Sequence, residues 1–242
     1  MTIYHSNNEF VYNQDHLSLS WISGLFRSSA NPETRKWKKG EKKMDRHLHL
    51  ISDGSFSEQH LQIVKRIQAE IDYLHIREKN KTAKDILEII GALENIGLPL
   101  EKIIVNDRVD IAVIKQCAGI QLAFHSPSIP LVKESFPELK AGKSVHSLAE
   151  AEQAQQEGAD YVLYGHIYSS KSKANQQPRG LTELQEMTNA LSVPVYAIGG
   201  ITPERAKEVT AAGAGGIAVM SGIWQAEDPV QTVRAYRQAL NI

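Results

Sequence analysis

Beyond Met44, short apolar runs alternate with amphipathic segments, and this alternation constrains the fold more than any other feature. Eight strand-like runs occur, each followed by a segment whose apolar residues recur at helical spacing. The first strand is predicted at Leu48–Asp53, and the first helix at Ser57–Glu70. Because the order is always strand then helix, the strands should be parallel and joined by helical crossovers. We therefore predict an α/β fold, a (β/α)8 TIM barrel. A doubly wound open sheet stays open, since periodicity does not show closure.

Charge and hydropathy exclude several classes of protein. The 242 residues carry 27 Lys plus Arg against 28 Asp plus Glu, a net charge of -1, which argues against a nucleic-acid partner. No run of about 18 apolar residues is present, so no membrane partner is expected. The single cysteine, Cys117, cannot form an internal disulfide and fits a cytoplasmic protein.

The first 43 residues differ from the rest of the chain. No sustained period runs from Met1 to Asn31, and Arg35–Arg46 is dense in basic residues. We predict that residues 1–43 form an N-terminal extension that is either disordered or a mis-assigned start, with Met44 as the true first residue. Residues 44–242 would then form the catalytic domain, a TIM barrel of minimal size.

Two cations mark the second predicted strand, Tyr73–Lys79. Its apolar residues alternate with polar ones, which places Arg77 and Lys79 inside the barrel. A charge at such a position is stable only if it is paired, hydrated or bound to an anion. For Arg77 the structural alternative is a salt bridge with Asp53 or Glu78. We expect a substrate-binding role for both cations.

Polar residues also close other predicted strands, where a barrel places its catalytic groups. His49 and His75 lie earlier in their strands, and we expect them to be hydrogen-bonded interior histidines. The candidates at the mouth are Asn106, Ser144, His146 and His166.

Glycines are concentrated around the last two strands, with six of the sixteen between Val195 and Ile223. Glycine after strands seven and eight of a barrel lets backbone N–H groups approach a phosphate. Tight turns are the alternative explanation for some of them. The predicted phosphate-binding residues are Gly199, Gly200, Ser221 and Gly222, and Met220 beside them is a predicted substrate-binding residue.

Six ordered motifs resemble the thiamine phosphate synthase superfamily, and the resemblance covers Asp45 to about Leu240. It is strongest to the TenI branch, thiazole tautomerase, and it implies a TIM barrel. The motifs are His75-Ile76-Arg77-Glu78-Lys79, Val105-Asn106-Asp107-Arg108-Val109-Asp110, Gly142-Lys143-Ser144-Val145-His146-Ser147, Gly158-Ala159-Asp160-Tyr161-Val162, Ala197-Ile198-Gly199-Gly200-Ile201 and Ile217-Ala218-Val219-Met220-Ser221-Gly222-Ile223.

The resemblance offers two reactions. A synthase of this superfamily joins a pyrimidine pyrophosphate to thiazole phosphate and needs Mg²⁺, which is held by two aspartates. The first aspartate matches Asp107, but the place of the second reads Ala123-Phe124-His125-Ser126-Pro127, without a carboxylate. The synthases also usually have Gln at the position of His75. These departures favour the tautomerase.

As a thiazole tautomerase, the chain would be an isomerase in thiamine biosynthesis. The resemblance implies that His146 shifts one proton within a thiazole phosphate carboxylate to make the ring aromatic. Arg77 and Lys79 would bind its anionic groups, while Asn106, Ser144 and His166 would contact the ring or the catalytic imidazole. No metal or organic cofactor is implied. The alternatives are a Mg²⁺-dependent synthase and a regulatory protein that binds thiazole phosphate without turnover. A homodimer is left open.

Overall fold

A computed structural model of the chain describes residues 46–170 and 176–241. Eight parallel strands form a closed barrel in chain order. Closure is made by β1 and β8, where His47 lies opposite Gly216 and Leu50 opposite Val219. The predicted TIM barrel is thereby confirmed. The strands are β1 His47–Ile51, β2 Tyr73–Ile76, β3 Ile103–Asn106, β4 Gly119–Leu122, β5 Lys140–Val145, β6 Tyr161–Gly165, β7 Val195–Ile198 and β8 Gly216–Val219.

Helices follow the strands around the barrel. The predicted N-terminal extension, residues 1–43, lies outside the described residues. A 3-10 turn at Leu100–Lys102 precedes β3. The helices are α1 Glu58–Ile67, α2 Ala83–Asn95, α3 Val109–Ile114, α4 Ile129–Ser135, α5 Leu148–Gln156, α6 Gly180–Ala190, α7 Pro203–Ala211, α8 Ser221–Trp224 and α9 Pro229–Leu240.

Strand alternation divides the buried residues into two cores. The larger core lies between the strands and the helices, where α1 contributes Leu61, Val64 and Ile67. The smaller core fills the barrel lumen and holds Ile51, Ile104, Tyr161, Leu163, Tyr196 and Ala218. A filled lumen restricts ligand binding to the mouth, where the carboxyl ends of the strands meet.

Arg237 of α9 ties the last helix to the segment that leads into β2. Its guanidinium donates to the Glu70 carbonyl at 2.8 Å through Nε and to the Asp72 carboxylate at 2.6 Å through Nη2. Asp72 also accepts a hydrogen bond from the Leu48 backbone N–H at 2.7 Å. This network links β1, β2 and α9, and so fixes the barrel where its first and last elements meet.

Two elements differ from the predictions. Strand β2 ends at Ile76, so Arg77 and Lys79 lie in the loop after the strand. The short helix α8 was not predicted, because four residues are too few to show a helical period. It is anchored by Trp224, whose indole N–H donates to the Ile51 carbonyl at 2.7 Å.

Within residues 46–170 and 176–241, no helix is long and apolar enough to cross a membrane.

Candidate active site

A cleft of about 290 Å³ opens at the barrel mouth, beside the loops that follow β2, β3 and β4. Its wall holds four basic side chains, two acidic ones, an amide, an imidazole and one aliphatic side chain. They are Arg77, Glu78, Lys79, Lys81, Ile86, Asn106, Asp107, Arg108 and His125. The structure therefore brings together Arg77, Lys79 and Asn106 of the predicted site residues, and adds Lys81 and Arg108, which sequence reasoning missed.

Arg77 lines the cleft, and its main chain and its guanidinium have different surroundings. Its backbone N–H donates to the Ser52 hydroxyl at 2.8 Å. In the described part of the chain its guanidinium forms no ion pair, with Asp53 or with any other carboxylate. Glu78 is buried and accepts a hydrogen bond from the Phe56 backbone N–H at 3.2 Å. The salt-bridge alternative is thus not observed, and the guanidinium is available to an anion.

The other basic residues of the cleft differ in how their charge is balanced. Arg108 binds the Asp110 carboxylate with two hydrogen bonds, Nε to Oδ1 at 2.9 Å and Nη2 to Oδ2 at 2.6 Å. Lys79 and Lys81 form no ion pair among the described residues. Arg77, Lys79 and Lys81 thus line one cleft and form no ion pair with the residues that the structure describes, an arrangement that suits a ligand with several negative charges.

Asp107 follows β3 and points its carboxylate into the same cleft. Its φ of 62° is in the left-handed region, which Asp tolerates better than most residues. The carboxylate accepts a short hydrogen bond from the Ser126 hydroxyl and lies 3.1 Å from His125 Nε2. Among the described residues no group of three or more His, Cys, Asp or Glu side chains could hold a metal ion. Of the two carboxylates in the cleft wall, Glu78 is buried, and Asp107 is the more accessible one.

His49 and His75 are confirmed as interior histidines. His49 Nδ1 lies 2.9 Å from His75 Nε2, and both residues are fully buried in the lumen. Burial lowers the pKa of His75 to about 3, and the pKa of His49 well below its ordinary value. Both imidazoles are consequently neutral at pH 7.

Ser144 and His146 lie on the far side of the mouth from Arg77. Ser144 Oγ accepts a hydrogen bond from the Gln121 amide at 3.0 Å, across the lumen face of β4 and β5. His146 follows β5 and is exposed; its Nδ1 lies 3.1 Å from the Gly165 carbonyl and donates to it. Its backbone N–H donates to the Glu150 carboxylate at 2.7 Å. Neither residue lines the cleft that holds Arg77, Lys79 and Lys81, called the cation cleft below.

The glycines after β7 are required by close packing. Gly199 and Gly200 have φ values of 102° and 64°. A β-carbon on Gly199 would lie 2.3 Å from His166 Cβ, and one on Gly200 would lie 2.4 Å from the Ser169 carbonyl oxygen. His166 itself is buried, with Nε2 donating to the Gln176 carbonyl at 3.2 Å. The turn explanation accounts for both glycines without a ligand.

Met220, Ser221 and Gly222 lie where β8 ends and α8 begins. A β-carbon on Gly222 would lie 2.7 Å from the hydroxyl of Tyr236. These residues are at the barrel mouth, as predicted, but outside the lining of the cation cleft.

The model of the family described as thiamine monophosphate synthase matches residues 48–223. The chain belongs to this family. A thiamine-phosphate synthase of Methanococcus vannielii is 31% identical over 194 residues, covering 80% of this chain and 94% of the relative. One from Pyrococcus furiosus is 33% identical over 182 residues, covering 75% and 88%.

Solved structures agree with this family membership. A thiamine phosphate pyrophosphorylase from Pyrococcus furiosus superimposes with a TM-score of 0.72 at 30% identity, covering 82% of this chain and 96% of that one. A 3-hexulose-6-phosphate synthase gives a TM-score of 0.65 at 15% identity, a likeness of fold alone.

The comparisons correct the expected reaction. Family relatives at about 30% identity are named synthases, so the predictions of a thiazole tautomerase and of an isomerase are wrong. The error came from treating the missing second carboxylate near His125 as decisive. Mg²⁺ usually keeps several waters and takes one or two carboxylates together with substrate phosphates, so one protein carboxylate is compatible with it.

Proposed function

We propose that this chain is a thiamine-phosphate synthase, a transferase that joins a pyrimidine pyrophosphate to a thiazole phosphate. The observation that carries the proposal is the cleft at the barrel mouth, where Arg77, Lys79 and Lys81 form no ion pair within residues 46–170 and 176–241. A pyrophosphate is the substrate group with the charge and size to use three cations at once. The names of the family relatives support the same reaction.

The cations would act on the leaving group. In the transfer, the bond between the pyrimidine methylene carbon and the pyrophosphate oxygen breaks, and the pyrophosphate keeps the electron pair. A ring nitrogen of the thiazole forms the new bond to that carbon. Arg77, Lys79 and Lys81 would stabilise the negative charge that grows on the pyrophosphate, as fixed cations do at developing phosphate charge.

Asp107 is the residue that would hold the Mg²⁺ implied by the family. Its carboxylate oxygens lie beside the cations of the cleft, and a single carboxylate fits a metal whose other ligands are phosphate oxygens and water. Bound there, Mg²⁺ would supply charge neutralisation on the pyrophosphate. The prediction of no metal belonged to the tautomerase and is not carried over.

The thiazole phosphate would occupy the other half of the mouth. We keep Gly199, Gly200, Ser221 and Gly222 as the proposed phosphate-binding residues, with Met220 beside them, because they end β7 and β8 at the same rim as the cleft. Ser144, His146 and His166 stay proposed neighbours of the ring. The role of His146 as a proton carrier is dropped together with the isomerase. The cytoplasmic location and a homodimer remain sequence predictions.

The test is to incubate the protein with pyrimidine pyrophosphate, thiazole phosphate and Mg²⁺, and to measure the coupled thiamine phosphate by mass spectrometry. We expect product with the wild type, and about a hundredfold slower formation with Asp107→Ala and with Arg77→Ala. Arg108→Ala is the matched control within the cleft, because Asp110 already pairs with that guanidinium. Binding of both substrates without product would contradict the proposal and favour a regulatory protein.

A further inference from the structure

The cation cleft offers little apolar surface to the ring of a pyrimidine pyrophosphate. Of the described side chains in its wall, Ile86 is the one aliphatic group, and the others are charged or polar. Cations bind the pyrophosphate, but an aromatic ring is stabilised by apolar or aromatic contacts. Because a single methylene joins the ring to the pyrophosphate, the ring must stay close to the phosphates. A surface for the ring should therefore lie at the edge of the cleft.

Phe124 follows β4 and is almost fully exposed. Its exposed fraction of 93% is the highest among the four exposed large hydrophobic side chains of residues 46–170 and 176–241. The other three belong to the helical layer, where Ile114 ends α3, Leu131 lies in α4 and Phe136 caps α4. Of these four described side chains, Phe124 is thus the one in a loop after a strand, where a barrel binds its ligands.

The loop that carries Phe124 is held on both sides of the ring. Before the ring, the Ala123 carbonyl accepts a hydrogen bond from Lys143 Nζ at 2.8 Å. After it, His125 Nε2 lies 3.1 Å from the Asp107 carboxylate. The phenyl ring is therefore exposed on an anchored backbone, so that a ligand can contact it at little cost in ordering the loop.

His125 connects Phe124 to the cation cleft. Its imidazole lines the cleft, and its ring centroid lies 4.8 Å from that of Phe124 with an interplanar angle of 83°. This T-shaped contact is a preferred geometry for two aromatic rings, and it places Phe124 beside the cleft. Whichever ring contributes its edge, at least one face of Phe124 stays open to a planar ligand.

We propose that Phe124 is a specificity-determining residue whose ring stacks on the pyrimidine ring of the substrate, while the cations of the cleft bind its pyrophosphate. A pyrimidine is a planar, electron-poor ring, so offset stacking on a phenyl face is favourable. The stack also removes from water a phenyl ring that is exposed in the free protein. The inference rests on the proposed function in taking the ligand of the cleft to be a pyrimidine pyrophosphate.

Calorimetry with two ligands separates the contribution of the ring from that of the phosphates. Pyrimidine pyrophosphate and inorganic pyrophosphate are titrated into the wild type, Phe124→Ala and Phe124→Tyr. Phe124→Ala should raise the dissociation constant of pyrimidine pyrophosphate about 5- to 150-fold, as the loss of a base–aromatic stack does, and change that of inorganic pyrophosphate less than about twofold. Phe124→Tyr keeps the aromatic face and should restore the affinity for pyrimidine pyrophosphate to within about twofold of the wild type.

Phe136→Ala is the matched control. It also removes an exposed phenyl ring, but from the end of α4, near Lys140 where β5 begins, and so from the opposite end of the barrel. It should leave both dissociation constants unchanged. Phe124→Ala should fold like the wild type, because the ring that it removes is almost fully exposed.

The outcomes distinguish this inference from the proposed function. Unchanged affinity of Phe124→Ala for pyrimidine pyrophosphate, or an equal loss for both ligands, would overturn the stacking role. If Phe124→Ala sediments as a smaller species than the wild type and binds both ligands as well, the role is also overturned, and the ring belongs to an interface between two copies of the chain. A wild type that binds pyrimidine pyrophosphate through Phe124 but forms no thiamine phosphate would refute the proposed function and leave the stacking role intact. A wild type that binds neither ligand would refute both.

Discussion

Replacing Arg77 with Ala should weaken pyrophosphate binding strongly and leave the fold nearly as stable as before. The backbone N–H of Arg77 keeps its hydrogen bond to Ser52 in the variant, and no carboxylate among the described residues loses an ion-pair partner. The free energy of unfolding should therefore change by less than about 1 kcal/mol. A hydrogen bond between charged groups contributes about 1.5–3 kcal/mol, so the dissociation constant of pyrophosphate should rise about 10- to 150-fold.

Arg108→Ala provides the comparison. Both guanidinium groups line the cleft, but that of Arg108 donates to Asp110 at 2.9 and 2.6 Å, so its removal takes little free charge from the site. We expect its dissociation constant to rise less than about threefold. Calorimetric titration of inorganic pyrophosphate into both variants at one ionic strength measures the difference. Equal losses in the two variants, or no loss in Arg77→Ala, would refute the argument from uncompensated charge.

Three further predictions concern stability. Gly199→Ala should lower the free energy of unfolding by about 2–4 kcal/mol in urea, because the new β-carbon would meet His166 and the backbone has a positive φ. Gly54→Ala is the control: its φ of 97° is similar but the space around it is open, so it should cost about 1–2 kcal/mol. In the native state burial keeps the pKa values of His49 and His75 below the unfolded value of about 6.5, so the stability that the neutral imidazoles contribute is present above that pH. It is lost as the pH falls, for His75 towards its pKa of about 3. Urea unfolding at about pH 7, 5.5 and 4.5 should show the decline, with a shallower slope in His75→Leu. Arg237→Ala should cost about 2–4 kcal/mol in the same assay, since it removes the guanidinium that donates to the Glu70 carbonyl and leaves the Asp72 carboxylate with the Leu48 N–H as its donor. A loss under about 1 kcal/mol would contradict this reasoning.

The fold was predictable because helical periods and strand alternation are local. Leu61, Val64 and Ile67 recur on one face of α1 whatever the rest of the chain does, and they are buried as that spacing requires. Closure depends on the pairing of β1 with β8, about 170 residues apart, so the open sheet could be excluded only by the structure.

Part of the candidate site was predictable from strand alternation. That pattern singled out Arg77, Lys79 and Asn106, which line one cleft, although Arg77 and Lys79 lie in the loop just after β2. Lys81 and Arg108 lie beyond the ends of the predicted strands, so the alternation did not include them. The reaction was missed for a different reason: counting carboxylates near Asp107 ignored the oxygen ligands that a phosphorylated substrate brings with it.

The most direct test of the synthase proposal is ³¹P NMR of the full chain with pyrimidine pyrophosphate and Mg²⁺, before and after addition of thiazole phosphate. The proposal predicts that inorganic pyrophosphate appears only after the second substrate is added, in a one-to-one ratio with thiamine phosphate. If pyrimidine pyrophosphate binds the protein but the signals of both substrates stay unchanged after thiazole phosphate is added, the proposal is contradicted.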